Sequence, residues 1–177
     1  MEVRLDARPA VVCDLADGFV LLPWESNLSN RHAQAKFESF RYELDAHVFP
    51  CLAELDGCRK LMRDISNRAD FVPEATWLAC RKNDFEKELA PIGTIQGLLS
   101  SSGAVGAIQN IGVVPEFRDL GIGRILLSNA LSGFQQIGCK YANLEVTVQN
   151  SAAIRLYEKF GFRRVETLFK MCEVQYA

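Results

Sequence analysis

The stretch Asn110–Phe134, NIGVVPEFRDLGIGRILLSNALSGF, decides how the chain is read. An apolar run ending at Pro115 is followed by Arg118–Gly123, RDLGIG, and then by apolar residues at helical spacing. Strand, glycine loop and helix in that order make an anion-binding layout. The first turn of a helix has N–H groups without intrahelical partners, and glycine lets an anion approach the backbone closely. Three phosphate ligands compete. A nucleotide P-loop needs G-K-[ST], but Gly123 is followed by Arg124 and Ile125. A dinucleotide fingerprint needs a third glycine where Leu126 stands. A coenzyme A pyrophosphate loop, [RQ]-x-x-G-x-[GA], is matched by Arg118, Gly121 and Gly123. On the hexapeptide alone, a tight turn leading into a helix fits equally well.

The remaining sequence sets bounds. The chain has 177 residues, 49% hydrophobic and 24% charged, which predicts a single globular domain over residues 1–177. A net charge of −2 gives no argument for a nucleic-acid or membrane partner. No apolar run approaches the roughly 18 residues of a membrane span, and the N-terminus lacks a signal-peptide layout, so a cytoplasmic location is expected. Six scattered cysteines without C-x-x-C and only two histidines, His32 and His47, predict reduced thiols and no metal site.

Periodicity predicts a strand at Gly18–Trp24 and a helix over 30–48, with Ala33, Phe37, Phe40, Leu44 and Val48 on one face. Its histidines then fall on a surface flank. A second helix follows through Met62 and Ile65. Strands are expected at Thr76–Lys82, Ile92–Leu99 and Ala107–Val114, the last two joined by a hairpin turn. The helix after the loop carries Ile122, Ile125, Leu126, Ala130, Phe134 and Ile137, and Gly138 suits its C-terminal cap. Tyr141–Gln149 alternates strictly as a strand. A short helix begins with Ser151 as N-cap and stops at Gly161, and one or two strands close the chain. Residues 1–28 are otherwise hard to read. The order suggests an α+β domain with a mixed sheet covered by helices.

The loop together with LEVTVQNSAAIRLYEKFGF, Leu144–Phe162, closely resembles the GCN5-related N-acetyltransferase (GNAT) superfamily over about residues 92–170. Segment 30–68 matches only in general order and corresponds to the acceptor side. The resemblance implies a mostly antiparallel sheet with a splayed strand pair, acetyl-CoA as cosubstrate and an amine acceptor, small molecule or peptide. A homodimer is a further implication. In this mapping Ile111, Gly112 and Val113 pair with the pantetheine arm as a strand would. Arg118, Asp119, Leu120, Gly121, Ile122, Gly123 and Arg124 offer backbone N–H groups to the pyrophosphate, and the side-chain amide of Asn150 meets the cofactor. Asp119 departs from the pattern: an acid beside a diphosphate costs affinity unless its carboxylate faces solvent.

Acetyl transfer to an amine needs a proton acceptor for the amine, a donor for the developing oxyanion and a proton for the departing thiolate. The Val113 N–H is the candidate oxyanion donor. Tyr157, in RLYEKFGF, matches the family's thiolate-protonating tyrosine. Glu145 lies on the polar face of its strand, twelve residues before Tyr157. That arrangement is similar to the protein N-terminal acetyltransferases of bacterial ribosomal proteins, whose matching glutamate accepts the proton. The reading is direct transfer from acetyl-CoA to a primary amine. The alternatives are a protein N-terminal α-amine acetyltransferase and a non-catalytic acyl-CoA-binding module. The C-terminal ETLFKMCEV lacks the paired tyrosines often found in the former. The acids Glu25, Glu38, Glu43, Asp45, Glu54 and Asp56 suit either a cationic acceptor or solvated helix faces.

Overall fold

Six strands build the sheet, and glycines within two of them set how closely helices pack on it. The computed structural model describes residues 1–6, 15–82, 89–101 and 103–169. The strands are β1 (Glu2–Arg4), β2 (Phe19–Pro23), β3 (Phe71–Arg81), β4 (Ala90–Leu99), β5 (Val105–Val113) and β6 (Tyr141–Leu144). The helices are α1 (Ser29–Phe40), α2 (Leu44–Val48), α3 (Leu55–Ser66), α4 (Ile122–Gln136) and α5 (Ser151–Lys159). The strands form one sheet in the order β1-β6-β5-β4-β3-β2. Every pairing is antiparallel except β5 with β6.

Two helices cover opposite faces. Thr94 and Gln96 of β4 hydrogen-bond to α1 side chains or to each other. The opposite face at Gly93 and Gly97 lies under α4, where an added Cβ would meet Leu126 and Phe134. The β4–β5 register shifts by one residue between Gln96↔Asn110 and Gly97↔Ile108, leaving Gln109 as a bulge. The extra residue reverses which face β5 presents. Gly106 therefore lies against Phe134 of α4, whereas Gly112, on the far side of the bulge, lies against Ser39 and Phe40 of α1. A side chain at Gly112 would come within 2.7 Å of both, so glycine is what lets the end of α1 sit directly on the strand.

The structure corrects several sequence expectations. The predicted helix 30–48 breaks after Phe40, because Arg118 captures the corner: its guanidinium pairs with Glu43 at 2.8 Å and donates to the Ser39 carbonyl at 3.2 Å. His32 is not on a surface flank but wholly buried, with Lys36 and Ser39 on the same stripe against the sheet. The apolar positions 33, 37 and 40 instead pack beside α3. His47 is exposed, as expected. The predicted strand 141–149 ends at Leu144, and β1 is a strand that periodicity did not reveal. At the C-terminus Arg163 bridges to Glu2, residues 164–169 form no strand, and the remainder of the predicted closing strands lies outside the described residues.

Candidate functional site

The site begins where the sheet opens. Strand β5 pairs with β6 only from Val105↔Tyr141 to Ile108↔Leu144. Beyond Ile108 it remains paired with β4 as far as Val113, while its other edge has no strand beside it among the described residues. This explains why residues 145–149 leave the sheet despite their alternation: the bulge carries β5 away, and the ladder has no further partner on that side. The result is a V-shaped gap with Ile111, Gly112 and Val113 along one arm. Such an edge offers backbone donors and acceptors to an extended ligand.

The loop closes one end of the gap. Gly121 is the N-cap of α4 with φ of 80°, a left-handed conformation that glycine adopts without strain. No side chain caps the helix, and the first intrahelical bond runs from the Ile125 N–H to the Gly121 carbonyl at 3.1 Å. The N–H groups of Ile122, Gly123 and Arg124 thus precede the intrahelical ladder, at the positive end of the helix dipole. Such N–H groups suit an anion, and a free strand edge suits an extended ligand. The Arg118 side chain serves a different purpose. Besides its bonds to Glu43 and Ser39, it donates to the Val113 carbonyl at 3.1 Å, tying the loop to the end of β5.

Asp119 has a backbone reason to be there. Its φ is 60°, the only positive value at a non-glycine position among the described residues. Aspartate and asparagine tolerate this region better than most side chains. The residue is exposed, so its charge is solvated. Asp119→Asn keeps the backbone preference and removes the charge. It is expected to tighten acetyl-CoA binding roughly two- to fivefold at low ionic strength, an advantage that shrinks with added salt in a calorimetric titration.

Past β6 the chain carries Glu145 and Asn150 in the segment leading to α5, and Tyr157 within α5 itself. Asn150, rather than the expected Ser151, caps α5: its Oδ1 accepts from the Ala153 N–H at 3.1 Å. Its Nδ2 group can still donate. Tyr157 is buried, with its ring centroid 5.9 Å from that of Phe162. Burial, and secondarily the Asp45 carboxylate, push its phenol well above its ordinary range. Glu145 is the first residue past the paired part of β6, and it is exposed. Its charge acts on the amino terminus of Met1.

Asp45 is the residue that sequence reading did not single out. It lies in the first turn of α2, and its Oδ1 accepts from the Thr147 hydroxyl at 2.6 Å. One carboxylate oxygen is thereby fixed against the segment that follows β6, within electrostatic reach of Tyr157. Nothing in the sequence separates it from Glu38 or Glu54, because the contact spans 102 positions.

The profile of the acetyltransferase (GNAT) family matches residues 40–162. The chain belongs to that family. An N-alpha-acetyltransferase of Sulfurisphaera tokodaii is 39% identical over 64 residues, 36% of this chain and 38% of that protein. A mycothiol acetyltransferase of Geodermatophilus obscurus is 38% identical over 61 residues, 34% of this chain and 20% of that protein. The chain thus spans well under half the length of these two relatives. In fold, a GCN5-related N-acetyltransferase from Sphaerobacter thermophilus superposes with a TM-score of 0.67 at 21% identity, covering 90% of this chain and 45% of that one. The split sheet and uncapped α4 are thus a GNAT fold, and acetyl-CoA is the acyl donor of the family. Among the described residues, no helix is long and apolar enough to cross a membrane.

Proposed function

We propose that the chain transfers an acetyl group from acetyl-CoA directly to a primary amine. The observation that carries this reading is the opening between β5 and β6 above the uncapped start of α4, in a chain of the GNAT family. Bound acetyl-CoA supplies an activated thioester. The edge of β5 from Ile111 to Val113 holds its arm, with the Val113 N–H as oxyanion donor, and the N–H groups at the start of α4 hold its pyrophosphate. Tyr157 donates a proton to the leaving thiolate, and its raised pKa keeps that proton in place at neutral pH. Glu145, exposed just past the end of β6, takes the amine's proton. Burial pushes the Cys58 thiol up to about 11 and raises Cys80 and Cys139 as well, which makes these three thiols poor candidates for an acetyl-enzyme.

Asp45 fits the acceptor side. With Oδ1 held by Thr147, the second oxygen can receive a hydrogen bond from the acceptor amine. Tyr42 and Leu44, beside it in the chain, are exposed at 82% and 56%, which favours an amine next to apolar groups, as at a protein N-terminus. Asp45→Asn retains an oxygen for Thr147 but loses the charge. It is expected to raise KM for the amine about tenfold while leaving acetyl-CoA affinity unchanged, measured by steady-state kinetics and calorimetry.

The test is thiol release from acetyl-CoA across α-amine peptides, polyamines and aminoglycosides. Amine-dependent release supports the reading, and preference for peptides beginning with apolar residues supports a protein N-terminus. Tight acetyl-CoA binding without release on any amine would instead indicate a binding module.

A further inference from the structure

Lys36 is wholly buried. Its Nζ donates to Oε1 of Gln96 at 2.6 Å and to Oδ1 of Asn110 at 2.6 Å. Those two residues are not arbitrary partners. Gln96 and Asn110 face each other across the β4–β5 ladder, and theirs is the pair at which the register slips. On the other side of the bulge is Ile108, the last residue of β5 to pair with β6. One side chain from α1 therefore clamps the point where the strand bulges and the sheet opens.

The clamp extends through a chain of polar groups. The Gln96 amide donates to the Thr94 hydroxyl at 2.5 Å, and Thr94 in turn bonds Nδ1 of His32 at 2.8 Å. Burial lowers His32 to about 3, so it is neutral, and lowers Lys36 to about 7. Among the described residues no carboxylate pairs with Lys36. A buried, unpaired amine is a poor way to stabilise a core, where an apolar side chain of similar length serves better. Its placement is explained by what it holds.

We propose that Lys36 is a positioning residue for the acyl-pantetheine arm: by joining Gln96 to Asn110 it fixes the bulge at Gln109, and with it the direction in which the edge Ile111–Val113 faces the gap. It does not contact the cofactor. This inference rests on the acetyl-CoA reading of the gap. It predicts a fault confined to the arm, because the start of α4, which receives the diphosphate, is a separate element.

The experiment compares wild type, Lys36→Met and Asn110→Ala for binding of acetyl-CoA and of 3′-phosphoadenosine 5′-diphosphate, which lacks the arm. Thermal melting checks the fold. Lys36→Met is expected to weaken acetyl-CoA binding about tenfold and to lower kcat, with binding of the nucleotide diphosphate unchanged within about twofold. Asn110→Ala, which removes half the clamp from a less buried position, is expected to show the same selective loss and stands in if Lys36→Met does not fold. Equal loss for both ligands would overturn the proposal, since it would mean general damage to the fold. So would acetyl-CoA binding and kcat within about twofold of wild type in both variants. Failure of wild type to bind acetyl-CoA would overturn the reading of the gap as well, whereas wild-type binding with unaffected variants overturns the role of Lys36 alone.

Discussion

Gly123→Val is expected to weaken acetyl-CoA binding by at least about a hundredfold while the chain still folds. A Cβ at Gly123 would meet Leu156 Cδ2 at 3.5 Å and Val113 Cγ2 at 3.7 Å, ordinary contacts that the fold tolerates. The two γ-methyls are the difference. They crowd the space where a diphosphate must come within hydrogen-bond distance of the N–H groups of Ile122, Gly123 and Arg124, and a helix N-terminus that cannot be approached loses its hold on an anion. Calorimetric titration reads the affinity, and a thermal melt within a few degrees of wild type shows that the fold survives. Near-wild-type affinity in a folded variant would remove the pyrophosphate from this loop.

Tyr157→Phe is expected to lower kcat about a hundredfold or more, with acetyl-CoA affinity nearly unchanged. The phenylalanine keeps the ring in its packing against Phe162, so the loss isolates the hydroxyl. The pH dependence carries a sign. Burial, with Asp45 adding to it, raises the phenol above its ordinary range. The proton-bearing form therefore persists as pH rises through about 10, where a free tyrosine loses it. Wild-type kcat should show no fall near pH 10 from this group. Unchanged turnover in the variant would take the acid role away from Tyr157.

The glycine loop and the α5 motif were legible in sequence because they are local: Gly121, Gly123 and the apolar spacing of α4 sit within one short stretch. Gly138 reads as the cap of α4, and it has the left-handed φ of 87° that such a cap uses. What escaped depends on distant partners. The stripe His32–Lys36–Ser39 looks like a solvated flank by hydropathy, and it is buried only because Thr94, Gln96 and Asn110 meet it with polar groups from the sheet. The end of β6 could not be read from its alternation, since the limit is set by a bulge on a different strand. The break after Phe40 follows from Arg118, nearly eighty residues away. Asp119 looked out of place as an acid in an anion loop until its φ of 60° gave a conformational reason for it.

Direct transfer requires acetyl-CoA and the amine to be bound at once. Initial rates measured while varying acetyl-CoA at several fixed amine concentrations test this most directly. Intersecting double-reciprocal lines, with no burst of free thiol when amine is left out, are the predicted result. Parallel lines, or a stoichiometric thiol burst without amine, would show an acetyl-enzyme and contradict direct transfer.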